Sequence, residues 1–366
     1  MSKKVVTNIL HISPDFNYSC GVSRHIYLLL RELKKDPRLN LFFITNGGDS
    51  INRIEILGIK PEVIRFYKGW KNILFFVPNY FKLKNYCINN KITIIHSHHR
   101  YPEFLAWLVA KKLRIKTITT VHSFVKGQFC FSFKSQKIIS VSNAVNSYLI
   151  EHFSINKEKL IMLHNFVVTD ERHKSTEKNT HVLETLTSHD KVLLFLGRIN
   201  KIKGVDILID TFLSMSKKRK DIFLVLVGNF DLSESYLEII RSHQRIILRN
   251  SEISVSEYFQ TCTVVILPSR IDPFPYVMLE SGLFKKPFIG GKTGGIAEFI
   301  EDGKNGLLVE PGNIESLTGA IEWVLDNPEE ARQLGENLHK KVLTLNSKEE
   351  YIEKLIGIYS ELLSSE

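Results

Sequence analysis

A chain of 366 residues with 43% hydrophobic and 24% charged content can bury two full cores, which excludes a disordered or fibrous polymer. Four scattered cysteines (Cys20, Cys87, Cys130 and Cys262) form no Cys-x-x-Cys pair, which argues against a disulfide framework or zinc ribbon and for a reducing compartment. The net charge of +10 is uneven: residues 1–180 carry 28 basic against 12 acidic side chains, and residues 181–366 carry 21 against 27. A basic half suits an anionic partner such as a membrane surface or a phosphorylated acceptor; no nucleic-acid module is visible, and the charge is not banded.

In chain order, Met1-Ser2-Lys3-Lys4 is followed only by a strand-length apolar run. Neither a secretory signal nor a spanning segment is expected, and the chain reads as cytoplasmic. Strand and helix patterns then alternate, the signature of a parallel α/β sheet. Residues 8–13 read as a strand, and residues 21–35 as a helix with Ile26, Leu29, Leu30 and Leu33 on one face. Further strands are expected at 41–45, 92–97, 117–121, 138–141 and 160–163, with helices over 102–113 and from Asn143. Residues 68–84 mix aromatics with lysines and suit an anionic bilayer, although Pro78 is expected to interrupt a long helix there and core packing explains the aromatics as well. Residues 125–137, rich in Phe and Lys, are a similar candidate for the acceptor side.

Residues 169–190 are polar and charged and read as a linker. Alternation resumes with strands at 192–196, 223–227, 246–248 and 264–267. Ser254 with Glu257, and Ser347 with Glu350, have capping-box spacing. The expected division is an N-terminal domain over 1–178, a C-terminal domain over 179–346, and a last helix over 347–366. Tyr351, Leu355, Ile356, Tyr359 and Leu362 form the apolar stripe of that helix, which suits either a return to the first domain or packing on its own.

Chemistry concentrates at strand ends. In Gly197-Arg198-Ile199-Asn200-Lys201-Ile202-Lys203-Gly204, a glycine admits close approach and two cations flank a helix start, a place suited to a pyrophosphate. After the strand at 264–267, Asp272 lies in the loop Asp272-Pro273-Phe274-Pro275-Tyr276-Val277, and Glu280 follows in a helix expected from Met278. Two carboxylates so placed suit two parts of one extended ligand, or a helix cap plus a solvated Glu. Pro273 and Pro275 have no N–H, so Phe274, Tyr276 and Val277 must supply any backbone donors. In the first half, His122 ends a strand, Gly21 sits in a turn before a helix, and His96-Ser97-His98-His99 clusters three histidines without a nearby carboxylate or Cys.

The spacing of acid, seven residues and Glu280, followed by Gly294-Gly295-Ile296-Ala297-Glu298 and Glu301-Asp302-Gly303-Lys304-Asn305-Gly306, closely resembles the donor-binding segment of glycosyltransferase family 4. Gly197-Arg198 with Lys203-Gly204 resembles that family's diphosphate clamp. The resemblance covers the second half strongly and the first half loosely. It implies the GT-B fold, two Rossmann-like domains facing each other across a cleft, and a retaining hexosyltransferase-type enzyme. Arg198, Lys203, Gly197 and Gly21 would meet the phosphates, Asp272 the donor sugar, Glu280 the ribose, and His122 the reaction centre from the acceptor side. Domain closure would exclude water, and the departing phosphate oxygen would take the acceptor proton.

A nucleotide-diphosphate sugar donor and a glycan or lipid-linked acceptor are the implied partners, in lipopolysaccharide, capsule or other bacterial surface-polysaccharide synthesis. No metal and no other cofactor is expected, since no Asp-x-Asp pair follows a strand. Two departures stand out: Asp272 where the family has Glu, and Cys20 where it has the first glycine of a pair. A sugar-nucleotide epimerase of the same fold and a non-catalytic nucleotide-sugar-binding partner remain the alternatives.

Overall fold

The computed structural model describes residues 6–67, 71–127, 129–168, 187, 189–250, 255–345 and 347–365. Most of the expected linker, the start of the 68–84 segment, and Ser254 lie outside the described residues. The chain divides into two compact units, residues 1–165 with 348–366, and residues 166–347.

The first unit contains β1 (Thr7–Ile12), α1 (Gly21–Leu33), β2 (Leu39–Thr45), α2 (Asn52–Ile56), β3 (Pro61–Val63), α3 (Lys71–Leu74), α4 (Phe76–Asn89), β4 (Ile94–Ser97), α5 (Arg100–Leu113), β5 (Lys116–Val121), β6 (Lys137–Ser140), α6 (Asn143–Phe153) and β7 (Leu160–Met162). Its seven strands are parallel in the order β3-β2-β1-β4-β5-β6-β7. The central strands are buried on both faces, which is why they read as near-continuous apolar runs such as Ile9-Leu10 and Ile94-Ile95. One core joins Leu10, Ile12, Ile44 and Ile95 of the sheet to Leu83 of α4 and Leu105 and Val109 of α5.

Pro78 interrupts the helical segment as expected: α3 ends at Leu74, where a continuing helix would meet the proline ring, and α4 starts afresh at Phe76 with Pro78 in its first turn. A first-turn residue has no carbonyl to bond within the helix, so the missing N–H costs nothing there.

The second unit contains β8 (Lys191–Leu196), α7 (Val205–Lys218), β9 (Ile222–Val227), α8 (Glu234–Ser242), β10 (Ile246–Arg249), α9 (Ser256–Thr261), β11 (Val264–Leu267), α10 (Tyr276–Leu283), β12 (Phe288–Gly291), α11 (Gly294–Phe299), β13 (Leu307–Val309), α12 (Ile314–Asp326) and α13 (Pro328–Thr344). Its six strands are parallel in the order β10-β9-β8-β11-β12-β13. The last helix, α14 (Lys348–Ser364), belongs to the first unit and buries Tyr351, Leu355, Ile358, Tyr359 and Leu362.

Candidate active site

In each sheet the strand order reverses once, between β1 and β4 and between β8 and β11. At such a reversal the loops leaving the strands diverge and open a crevice at their carboxyl ends, the place where open α/β sheets take ligands. In the second unit the two loops concerned are those after Leu196 and Leu267.

The first of these loops is folded by its own residues. The Asn200 side chain accepts from the Lys203 backbone N–H at 3.1 Å and turns the chain. Gly204 then adopts φ +73°, and a Cβ there would lie 2.1 Å from the Pro268 carbonyl oxygen. Only glycine lets the turn sit this close to the second loop. Arg270 ties the two loops together. Its backbone N–H donates to the Ile202 carbonyl at 2.8 Å, its guanidinium grips both Asp206 oxygens at 2.7 and 3.0 Å, and it also donates to the Lys201 carbonyl. The bidentate pair fixes orientation as well as distance.

Lys203 therefore meets Asp272, with Nζ 2.5 Å from Oδ2. Asp272 is buried, and the Ser269 hydroxyl donates to the same oxygen at 3.3 Å. Gly295 closes the other side: its N–H donates to the Asp272 carbonyl at 3.1 Å, and a Cβ there would strike the Pro273 carbonyl at 2.1 Å. The helix α10 opens at Tyr276, two residues earlier in the helix than Met278, with Pro275 before it and no side-chain cap. Val277 is in its first turn, where backbone N–H groups find no partner within the helix and the dipole favours an anion. Phe274, Tyr276 and Val277 bury their side chains, so any contact they make with a ligand would come from the backbone. Glu280 is buried in the second turn.

Gly197 follows β8 at φ +142°, and Arg198 beside it is exposed, with no ion pair among the described residues. The structure thus brings Lys203 and Asp272 into contact, sets Gly197 and Arg198 on the loop before them, and puts Glu280 in the helix after them. Sequence reasoning missed Asp206 and Arg270. Their signal was a pair of opposite charges, three residues after Lys203 and two before Asp272.

The corresponding edge of the first unit is built of imidazoles. Register pairs His11 of β1 with His96 of β4, and the His98 N–H donates to the Ile12 carbonyl at 3.0 Å. His11 Nδ1 lies 3.1 Å from His98 Nε2, and His98 Nδ1 lies 3.2 Å from His122 Nε2, just past β5. The His25 ring on α1 stands edge-on to His122 at 4.7 Å between centroids. His96 gives one nitrogen to the Tyr359 hydroxyl of α14 and the other to Thr120, both at 2.7 Å.

Burial pushes these imidazoles down, His11 to about 3 and His25 and His99 to about 4. His96, His98 and His122 are lowered well below the usual histidine value, first by burial and then by neighbouring imidazoles. The cluster is neutral at ordinary pH. Two trios, His11-His96-His98 and His25-His98-His122, bring nitrogens within 4.8 Å of one another, a spacing that admits a metal ion. Neither includes a carboxylate, and a metal on His96 would displace one of its hydroxyl partners.

Sequence reasoning named His96, His98, His99 and His122 but not His11, which meets them only through strand register, or His25, which reaches them from helix α1. Gly21 is the first residue of α1. Cys20 before it has φ −101°, an extended conformation open to any residue, so this backbone does not use the left-handed freedom a glycine at position 20 would supply.

Two families match the chain side by side: Glycosyltransferase Family 4 over residues 20–171 and Glycosyl transferases group 1 over residues 176–341. The chain belongs to glycosyltransferase family 4. An uncharacterised glycosyltransferase of Methanocaldococcus jannaschii is 28% identical over 349 residues, covering 91% of this chain and 92% of the relative. The capsular polysaccharide biosynthesis glycosyltransferase CapM of Staphylococcus aureus is 20% identical over 370 residues, covering 93% and 96%.

Among solved structures, Anabaena HepE in complex with UDP-glucose superposes with a TM-score of 0.83 at 15% identity, covering 97% of this chain and 99% of HepE. The two parallel-sheet units are those of a GT-B glycosyltransferase. In this glycosyltransferase no helix among the described residues is long and apolar enough to cross a membrane.

Proposed function

We propose that this glycosyltransferase transfers a sugar, with retention at the anomeric carbon, from a nucleotide-diphosphate sugar held by the second unit to an acceptor hydroxyl. The observation that carries the reading is the Lys203–Asp272 contact beside the exposed Arg198 and the uncapped start of α10. Each part has a task. Arg198, Lys203 and the first-turn N–H of Val277 stabilise the diphosphate as negative charge grows on its leaving oxygen. Such charge-assisted hydrogen bonds contribute about 1.5–3 kcal/mol each. Asp272 holds Lys203 in place, then shares it with the phosphate while accepting from sugar hydroxyls. Glu280 accepts from the ribose hydroxyls. No side chain is needed as a strong base if the leaving phosphate oxygen takes the acceptor proton on the same face, and no divalent ion is needed if the two cations carry the charge.

The acceptor in this reading is a glycan or lipid-linked glycan of a surface polysaccharide, the setting in which the CapM relative is named. An anionic bilayer is the surface it would work against. Helices α3 and α4 expose Leu74, Val77, Phe81 and Ile88 beside Lys82, with Phe75 exposed between them, in the half of the sequence with the basic excess.

Calorimetry with UDP on the wild type and Lys203→Ala tests the clamp: the variant is expected to bind roughly ten-fold or more weakly and to lose transfer, and equal affinities refute the clamp. The anomeric configuration of the product, read by NMR, tests retention. Products formed from nucleotide sugar alone separate transfer from epimerisation. Sedimentation with phosphatidylglycerol vesicles tests the membrane face, with Phe81→Asp expected to reduce binding.

A further inference from the structure

His122 does not stand alone, and what lies behind it dictates what it can do. Each nitrogen-to-nitrogen link, 3.1 Å from His11 to His98 and 3.2 Å from His98 to His122, holds one proton. A neutral imidazole has one N–H and one bare nitrogen. His98 must then donate at one end and accept at the other, so the chain of three rings has a direction. The far end decides which. His11 Nε2 is fully buried with no hydrogen-bond partner.

If the N–H groups pointed from His122 toward His11, that nitrogen would carry an orphaned N–H, the kind of buried group that folded proteins almost never leave unpaired. With the opposite direction it is a bare nitrogen, the milder defect. The protons then sit on His11 Nδ1 and His98 Nδ1, and His122 accepts at Nε2.

We infer that His98, backed by His11, fixes His122 as the Nδ1–H tautomer, so that His122 presents a hydrogen-bond donor and no basic nitrogen to whatever approaches it. Nε2 is occupied by His98, and Nδ1 already holds its proton. His122 is also partly exposed, and among the described residues its ring bonds to His98 through Nε2 alone. Burial and the neighbouring His25 and His99 disfavour a second proton on the ring.

In the transferase reading, on which this role rests, His122 donates to a substrate oxygen, and the acceptor proton must leave by way of the donor phosphate. His98 and His11 are positioning residues: they touch no substrate and act through His122.

Nitrogen-15 NMR of the histidine side chains in the whole protein tests the tautomer directly, with the His122 signals assigned by His122→Gln. The expected result is a protonated Nδ1 and a bare Nε2 on His122 at pH 7. A protonated Nε2 overturns the inference, as does one equivalent of zinc shifting the signals of His25, His98 and His122 together, since a metal would then occupy the nitrogens assigned to protons. Two variants separate positioning from packing. In His98→Asn the amide nitrogen replaces Nδ1 and still donates to His122. In His98→Gln it replaces Nε2 and faces His11 instead.

His98→Asn is expected to keep His122 in the wild-type tautomer, whereas His98→Gln releases it and lowers kcat for the nucleotide sugar that best stabilises the protein by roughly ten-fold or more, with KM for that sugar unchanged. Equal losses in both variants overturn the positioning role. A wild-type tautomer as expected with no loss in His122→Gln would instead refute the catalytic reading of His122 and leave the proton chain standing.

Discussion

The two strand-end edges of this protein use the same topology with opposite electrostatics. Both lie where the strand order reverses, yet the first is lined by neutral rings and the second by an ion-paired lysine and an exposed arginine. The difference follows from the fate of charge in a buried place. Imidazoles can shed their proton and remain satisfied by bonding one another, so burial lowers their proton affinity and leaves the network uncharged. Lys203 and Asp272 instead meet as an ion pair. The first edge suits neutral hydroxyl chemistry and the second an anion.

The largest expected effect comes from removing the charged side of that contrast. Lys203→Ala leaves the buried Asp272 without its cation and the diphosphate without its partner. Transfer should disappear while the protein still folds, as checked by product formation and circular dichroism.

Acid attacks the neutral side. His11, His25 and His99 have folded values near 3, 4 and 4, below the 6.5 of the unfolded chain. Between those limits the unfolded state binds more protons, so stability is complete above about 6.5 and is lost as pH falls toward 4, at up to about 1.4 kcal/mol per pH unit for each histidine. Hydrogen exchange at pH 7 and pH 5 checks this: amides of β1, β4 and β5 should lose protection while those of β8 and β11 keep it. Uniform loss would dissolve the contrast.

A smaller effect sharpens the charged edge. Arg270→Ala unties the two loops that bring Lys203 to Asp272, and UDP affinity should fall roughly three- to ten-fold, the loss of a bidentate pair acting at one remove. In a Lys203→Ala background the same change should alter UDP binding little, because coupled residues do not add. The smallest effect is at the neutral edge. Tyr359→Phe leaves the buried His96 Nδ1 without its hydroxyl, at a cost of about 1–3 kcal/mol in a urea titration, with no change in UDP binding.

Much of this was legible in the sequence. The doubly buried strands announce themselves as apolar runs, and the alternation of strand and helix patterns gives two parallel sheets. The strands β3 and β12 were less legible, since β3 opens on Pro61-Glu62 and β12 ends in Gly290-Gly291, residue types depleted from strands. Lys203 was legible as a candidate in its own glycine-flanked motif, and Asp272 with Glu280 by their fixed spacing. The contact of Lys203 with Asp272 was not, since it depends on a glycine turn lying against Pro268 and on an arginine two residues before Asp272.

The sequence by itself determined the class of fold, the family and the cationic clamp candidates, because periodicity and short motifs are local properties that survive without a third dimension. Only the tertiary structure decided that His11, His25, His98 and His122 are neighbours, that Tyr359 holds His96, and that Arg270 fastens Lys203 to Asp272. Those facts depend on strand register and on loops meeting across a sheet edge. Residues as distant as His96 and Tyr359 become partners only when the whole unit closes around them.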